Sequence, residues 1–580
     1  MTTSHVNHNV RYEPDESPPR LVTVGAGFQA AMLIVAPVVL TVVIVARIAD
    51  QPESYIAWGA FAALLVSGIT TILQAVRVGR IGSGHVLIMG TSGAFISVCV
   101  VALVKGGPAM MATLIVISSL FQFMLAARLS LLRRIFTPVV TGTVIMLIAA
   151  TVMPIVFDTL KDVPEGAPPE AAILAAAATL VVVAGLVLRG PPVVRLWSPI
   201  IGIIVGCAVA APFGLYDVQQ VIDAPWFGIQ AAEWPGFHVV PDETLLALIP
   251  AFVVVTLVGA IETIGDGVAI QRVSQRTPRA TDFRVVQGAL NADGVGNLLS
   301  GLLGTLPNTT YSSSISLAEI TGVAARRVGV VIGVIFILVA FFPKFTALLI
   351  AIPTPVAAAY ITVFIGVLFV QGMKIVIQDG VDHRKAAIVG LSFWIGTGFQ
   401  NGWIFADQLG DGFLGALLSN GMTSGAIVAI VMMVFIEVTG PRRRRLETSL
   451  DMDTLPKLSD FLRGFATGSG WNPDSAERLV LVGEETLTSL SSDENGVGDG
   501  RARRLVVNAR SRVGGAELEF ISAYEGENLQ DQLAYMGETP EITDDREISF
   551  RLLRHFASSV HHQKYHGVDI VTVNVDAQMD

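Results

Sequence analysis

Residues 245–271 read LLALIPAFVVVTLVGAIETIGDGVAIQ. After an arginine-rich gap, residues 288–328 read GALNADGVGNLLSGLLGTLPNTTYSSSISLAEITGVAARRV. The first stretch is apolar enough to cross a bilayer, yet Glu262 and Asp266 stand inside it, four residues apart. A charge at that depth costs roughly 3 kcal/mol or more, so an intramembrane acid marks a transport pathway by default. The second stretch is rich in Gly, Ser and Thr where an unbroken hydrophobic helix is expected. Polar chain at membrane depth survives only where it is buried in protein or lines a cavity. An acidic pair followed by an interrupted span is the pattern of a secondary transporter with a broken helix.

Composition agrees. The chain has 580 residues, 52% of them hydrophobic and 15% charged. A soluble domain carries roughly 25% charged residues, so this composition belongs to an integral membrane protein. The formal net charge of -10 averages two unlike regions, with acids crowded into the last third and arginines at the loop ends of the rest. Nothing in it suggests nucleic-acid binding. Cys99 and Cys207 both lie in hydrophobic runs, which argues against disulfides and metal clusters. The aromatic residues show no cofactor-like grouping, and no cofactor is expected. Residues 1–20 are polar, hold Pro14, Pro18 and Pro19, and have no apolar core. They predict a disordered cytoplasmic tail without a cleavable signal peptide.

Hydrophobic runs of roughly 20 residues are the unit to count. They lie near 21–46, 54–75, 84–104, 108–127, 136–157, 170–188, 197–213, 244–270, 285–305, 308–325, 328–350, 354–373, 385–405 and 415–438, an expected fourteen spans. The third opens on GSGHVLIMGTSGAF (82–95) and the tenth on PNTTYSSSIS (307–316). Divided seven plus seven, these helix-weakening segments stand third in each half, the arrangement of an inverted-repeat transporter. Loop charge gives a second check. With the N-terminus inside, cytoplasmic loops hold Arg77, Arg80, Arg128, Arg133, Arg134, Arg189, Arg195, Arg272, Arg276, Arg279, Arg284, Arg326, Arg327, Arg384 and Lys385. Outer loops hold Asp217, Asp223, Glu233, Asp242 and Glu243. This is the positive-inside pattern, and Arg442–Arg445 places the C-terminus in the cytoplasm too.

The expected organisation is thus a tail over 1–20, a transmembrane domain over 21–438, a basic linker over 439–450 and a cytoplasmic α/β domain over 451–580. In the last, helices are expected near 475–491 and 547–562 and strands near 503–509, 516–523 and 568–575, with Ser491–Gly500 as a loop.

Glu262 and Asp266 share one helical face, about one turn apart. A carboxylate there can accept two N–H donors from a planar heterocycle and can carry a proton. The alternative is a buried pair, satisfied by backbone and hydroxyls, that only holds helices together. In PNTTYSSSIS an extended stretch frees backbone N–H groups, and Asn308, Thr309, Thr310, Tyr311, Ser312, Ser313, Ser314 and Ser316 add an amide and hydroxyls. The alternative is a polar helix interface of small residues. Glu319 faces either the cavity or the cytoplasmic interface near Arg326, His85 reads as a packed or interfacial histidine rather than a ligand, and Gln29 as either site-facing or structural.

The motifs GFQ (27–29), GTSGAF (90–95), FTPVVTGTVI (136–145), APWFG (224–228), IETIGD (261–266), ADGVGNLLSGLLGTLPNTTY (292–311), ITGVAARRVG (320–329) and FFPKFTALLIAIPTPV (341–356) run in order through the transmembrane region. Together they resemble the nucleobase/ascorbate transporter family, the xanthine/uracil permeases. The resemblance implies fourteen spans in a seven-plus-seven inverted repeat, core and gate domains, a homodimer and an elevator-like movement. It implies that Glu262 is the essential glutamate, that Asp266 is the second polar position of that helix, and that Gly93, Ala94 and Phe95 line the site. The chain departs from the family in the tenth span. There the residue that usually grips the base is Ser313, and Ser314, Ser316 and Thr321 occupy the rest of the signature. Ala30 follows Gln29 where a histidine is frequent.

SAERLVLVGEETLTSL (475–490) and ISFRLLRHFASSVHHQKYHGVDIVTVNV (548–575) resemble, more weakly, the histidine-kinase-like ATP-binding fold of anti-sigma-factor kinases. Ser489 replaces its magnesium-binding Asn, and its Asp-x-Gly-x-Gly loop is absent where AYEGENL (523–529) stands, so a degenerate domain open to a cytoplasmic regulator is expected. The reading is a proton-coupled symporter of a xanthine-, uracil- or urate-like heterocycle. Its rivals are a carrier of another small anion, a membrane sensor with vestigial transport, and ATP-driven transport.

Overall fold

A computed structural model describes residues 7, 9–127, 137–160, 167–229, 234–277, 279–377, 382–405, 413–439, 443–491, 504–512, 514–522, 545–566 and 568–577. Arg128, Arg133, Arg134, Glu233, Arg442 and the segments 492–500 and 523–529 lie outside the described residues. The chain divides into two compact units. One comprises Asn9–Ser274 and Val285–Val434, the other Met1–His8, Gln275–Arg284 and Phe435–Asp580.

The first unit is built from apolar helices. They are α1 (Arg20–Ile48), α2 (Glu53–Val76), α3 (Ile96–Ala127), α4 (Pro138–Thr159), α5 (Pro169–Arg189), α6 (Pro192–Ala210), the short α7 (Val218–Asp223), α8 (Glu243–Val273) and α9 (Phe283–Leu303). After a break come α10 (Ser313–Thr321), α11 (Arg326–Ala340), α12 (Pro343–Ile350), α13 (Thr354–Ile377), α14 (His383–Gln400), α15 (Phe413–Ser419) and α16 (Gly421–Thr439). Among the described residues, seven helical stretches are long and apolar enough to cross a bilayer, and the α11–α12 pair, bent by 85°, is an eighth. The protein is therefore a multi-pass membrane protein. The expected third and fourth runs share α3, which is interrupted at Gly107 (φ 70°, ψ −174°) just before Pro108. A proline lacks the N–H that would continue the helix, and a glycine accepts the left-handed turn.

The two helix-weakening segments meet. β1 (Met89–Thr91) pairs antiparallel with β2 (Asn308–Thr310), with Met89 opposite Thr310, Gly90 opposite Thr309 and Thr91 opposite Asn308. Each strand donates and accepts what a helix would have satisfied internally, as membrane burial requires. The ends are tied as well. The Ser92 N–H donates to the Pro307 carbonyl at 2.8 Å and the Tyr311 N–H to the Ile88 carbonyl at 2.9 Å. Gly90 is needed for the crossing, since a Cβ there would lie 2.7 Å from the Tyr311 ring and 2.9 Å from Val38. Past β1 a single 3-10 turn, Gly93–Phe95, leads into α3, and past β2 the chain enters α10.

The N-terminal segment differs from the expected disordered tail. From residue 9 it lies along the turn between α10 and α11. The Arg11 and Tyr12 N–H groups donate to the Gly322 carbonyl at 2.8 and 3.1 Å, and the Ala324 N–H returns a bond to Tyr12 at 2.9 Å. Arg326 pairs with Asp15 at 3.1 Å. Burial of Val10 and the open backbone groups of that turn supply the reason, which a polar composition does not reveal.

The second unit holds a five-stranded antiparallel sheet in the order β3–β4–β5–β7–β6. Its strands are β3 (Arg444–Ser449), β4 (Arg504–Arg512), β5 (Gly515–Ser522), β6 (Ser559–Tyr565) and β7 (Val568–Asp576). Leu505, Val507, Leu518, Phe520, Val571 and Val573 form one core with Leu458, Leu462, Leu479, Val482 and Leu553 of helices α17 (Leu455–Gly468), α18 (Pro473–Ser491) and α19 (Asp545–Phe556). Two expectations are corrected. The stretch 439–450, expected as a basic linker, contains β3, whose arginines are exposed at the edge of the sheet. The helix expected over 547–562 ends at Phe556, and Ser559–Tyr565 is strand β6, paired along its length with β7.

Helix packing in the membrane unit relies on glycine, which lets backbones approach where burial of oil against oil provides little drive. A Cβ at Gly333 in α11 would stand 2.5 Å from the Gly68 carbonyl oxygen in α2, and one at Gly68 would stand 2.6 Å from the Gly333 carbonyl oxygen. Gly333→Val should therefore cost about 1–3 kcal/mol or more. The expected result is a lower melting temperature and less monodisperse protein in detergent; an unchanged melting curve would show that α2 and α11 tolerate separation.

Candidate transport site

The site is set by one stripe of α8. Phe252, Val255, Gly259, Glu262 and Asp266 recur at alternating steps of three and four, so they share a face. Lower on the stripe, Phe95 packs its ring 6.1 Å from that of Phe252. Higher on the stripe stand the two acids, which meet very different surroundings.

Asp266 is 4% exposed. Thr310 Oγ1 donates to its Oδ2 at 2.8 Å and Ser312 Oγ donates to its Oδ1 at 2.7 Å. Both donors come from the chain that leaves β2, so Asp266 fastens α8 to the broken span. Glu262 is only half-buried and accepts no hydrogen bond among the described residues. Of the two acids expected to face one ligand, Glu262 is thus open and Asp266 already holds two hydroxyls.

The serines divide as well. Ser314 is fully buried. Its hydroxyl donates to the Tyr311 carbonyl at 2.6 Å and accepts from the Ile88 N–H at 2.9 Å, which ties the two crossing segments together. Ser313 Oγ is buried without a hydrogen-bond partner among the described residues. Ala94 and Phe95 are buried in the turn after β1. Gln29 is half-buried on α1, nine residues before Val38, whose carbonyl accepts from Thr91 Oγ1 at 3.1 Å. At 1.5 Å per residue it stands about 13 Å along the helix from the strand crossing. Glu319 is exposed near the end of α10, and His85 is packed, with Nδ1 3.1 Å from the Ser83 carbonyl oxygen.

A third acid, Asp293 in α9, is absent from the sequence-based expectations. It is 1% exposed, and its Oδ2 accepts from Gln122 Nε2 at 2.7 Å and from Thr263 Oγ1 at 2.8 Å. Asn297 Nδ2 donates to Gln122 Oε1 at 2.7 Å, and Asn297 Oδ1 accepts the Asn308 N–H at 2.7 Å. One polar chain therefore runs from α3 through α9 to the start of β2. The signal that would have found it is Asp293 followed one turn later by Asn297 inside an apolar run.

The model of a permease family, that of the xanthine/uracil permeases, matches residues 22–402. The chain belongs to the xanthine/uracil permease family. It is a permease, not an enzyme. A Clostridium perfringens protein provisionally named a purine permease is 32% identical over 377 residues, 64% of this chain and 80% of its own. Xanthine permease XanP of Escherichia coli is 27% identical over 452 residues, 73% of this chain and 94% of its own. Nucleobase transporter PlUacP of Paenibacillus larvae is 27% identical over 415 residues, 70% of this chain and 92% of its own. The family match ends before β3, so the C-terminal sheet is an addition to the permease body.

The Asp293 cluster gives a test of its own. Asp293→Leu would strand two buried donors, at roughly 1–3 kcal/mol each. Asp293→Asn keeps an acceptor for both. The leucine variant should melt well below wild type in detergent and the asparagine variant close to it; equal melting temperatures would remove Asp293 from the framework of the site.

Proposed function

We propose that this permease carries a nucleobase of the xanthine, urate or uracil type across the cytoplasmic membrane together with a proton. The observation that carries the reading is Glu262, a half-buried carboxylate without a hydrogen-bond partner among the described residues, on a membrane helix beside two crossing broken spans. A charge at that depth is tolerated where it meets a ligand or a proton. A planar base offers the two N–H donors that one carboxylate accepts side by side. Asp266 supports Glu262 by fixing α8 against the broken span, and its carboxylate remains a candidate proton carrier. The names of the relatives favour a base over another small anion.

The reading extends to fourteen spans in an inverted repeat, with core and gate parts that move as an elevator within a homodimer, and with both termini in the cytoplasm. The C-terminal domain is regulatory and answers to a cytoplasmic partner rather than to ATP. Ser489, at the position that would hold magnesium, is buried, and its hydroxyl has no hydrogen-bond partner among the described residues.

Uptake of labelled xanthine, urate, uracil and ascorbate, with and without a protonophore, tests the whole reading. Base uptake that collapses with the proton gradient is expected. Uptake of none of the bases, or uptake indifferent to the protonophore, would reject it in substrate or in coupling respectively.

Glu262→Gln keeps the shape of the side chain but cannot bind and release a proton in the physiological range. It should abolish gradient-driven uptake while leaving the amount of inserted protein unchanged. Wild-type accumulation by this variant would sink the coupling role.

Ser313 has a shorter reach than the amide or acid it replaces, and it makes one bond where an amide makes two. A hydrogen bond missing from a desolvated site costs roughly 1–3 kcal/mol, or about tenfold to a hundredfold in affinity. Ser313→Gln should therefore tighten xanthine or urate binding. Complete loss of binding would mean that a bulkier ligand already fills the space, and an unchanged affinity would place Ser313 away from the substrate.

A further inference from the structure

We propose that α13 supplies the opposite wall of the substrate site, with the Phe364 ring stacking on the bound base and Gly93 kept free of a side chain so that the ring can reach it. The assignment rests on the base-transport reading above.

Three observations carry it. The first is placement. Phe364 lies in the middle of α13, and its Cε1 would stand 2.7 Å from a Cβ on Gly93. The ring therefore approaches the backbone of the broken span closely, at the first residue of the turn that carries Ala94 and Phe95. It is nonetheless 40% exposed, so part of the ring is left uncovered by the protein's own side chains. The second is the glycine itself. Gly93 does not adopt a positive φ, so its backbone conformation does not demand glycine. The demand comes from the neighbouring ring.

The third observation is the turn before. Tyr360 precedes Phe364 by four residues and shares its face of the helix. Tyr360 is buried. Tyr311 donates to the Thr91 carbonyl at 2.8 Å. The face of α13 that carries Phe364 thus lies against the turn that follows β1. A planar heterocycle whose N–H edge meets Glu262 presents its π-face to this wall. Stacking on an aromatic ring tolerates any base, whereas an aliphatic or strongly puckered ligand gains little from it.

Labelled xanthine uptake by the full-length protein, with KM measured at matched surface expression, tests the assignment. Phe364→Ala should raise KM by about fivefold to a hundredfold, as loss of one base–aromatic stack predicts. Phe364→Tyr, which keeps the ring, should stay near wild type. Gly93→Ala should impair uptake by pushing on the ring. The double variant Gly93→Ala/Phe364→Ala should behave like Phe364→Ala alone instead of combining both losses. An unchanged KM in Phe364→Ala beside normal wild-type uptake would overturn this assignment alone. Strictly additive losses in the double variant would overturn the role given to Gly93. Wild-type protein that takes up no base would overturn the transport reading and this wall with it.

Discussion

A carboxylate drawn out of water must find hydrogen-bond donors, and the rest of the site follows from where Asp266 finds them. Thr310 and Ser312 reach it only because the chain around residues 308–312 is not helical. An extended strand at membrane depth needs partners for its own backbone, and β1 provides them. β1 is possible because Gly90 lets Tyr311 and Val38 close in around it. Acid, hydroxyls, strands and glycine are therefore one requirement stated at four places in the sequence. Glu262, one turn away, is left out of that settlement and accepts no hydrogen bond among the described residues.

Much of this is legible in the amino-acid order. The broken spans announce themselves because Gly, Pro and runs of Ser are poor helix formers, and they stand where apolar helix is otherwise continuous. Glu262 is legible because an acid in such surroundings is rare. The division of labour is not legible. Glu262 and Asp266 look equivalent at a spacing of four, and only the hydroxyls of Thr310 and Ser312 distinguish them. Ser313 and Ser314 are neighbours of the same type, yet Ser314 ties two segments together while the Ser313 hydroxyl is buried with no hydrogen-bond partner among the described residues. Asp293 is hidden for a similar reason. Its partner Gln122 lies far away in the sequence, so nothing local marks the acid as satisfied. In the C-terminal unit, the apolar spacing of α19 continues past Phe556 and so suggests a longer helix. Ala557 and Ser558 end it, and pairing of β6 with β7 then decides the conformation.

The membrane unit also shows what replaces the hydrophobic effect where the solvent is itself apolar. Gly68 and Gly333 bring α2 and α11 together, Gly142 and Gly372 bring α4 and α13 together, and Gly396 and Gly421 do the same for α14 and α16. In each pair the missing Cβ lets a carbonyl oxygen of the facing helix approach. Close approach of this kind gives packing energy and fixes azimuth, so each helix turns a defined face inward. The acids and hydroxyls of the site depend on that azimuth, since a helix rotated by one residue moves its side chains by roughly 100°.

The pairing of β1 with β2 has a consequence for biogenesis. More than 200 residues separate Met89 from its partner Thr310. The ribosome delivers the first strand long before the second exists, at roughly 5–20 residues per second. For many seconds the segment 89–91 has no native partner for its backbone, in a bilayer that offers none. The N-terminal half therefore cannot reach its final form as it emerges, and its third segment must wait at the interface, in the translocation machinery or against another chain. Closure of so long a loop carries its own entropic cost, and the three bridged residue pairs of the crossing can meet it only together with the surrounding helices. The strand crossing can thus close only after residue 310 has been made, and a half-made chain carries an unpaired strand edge as its weak point.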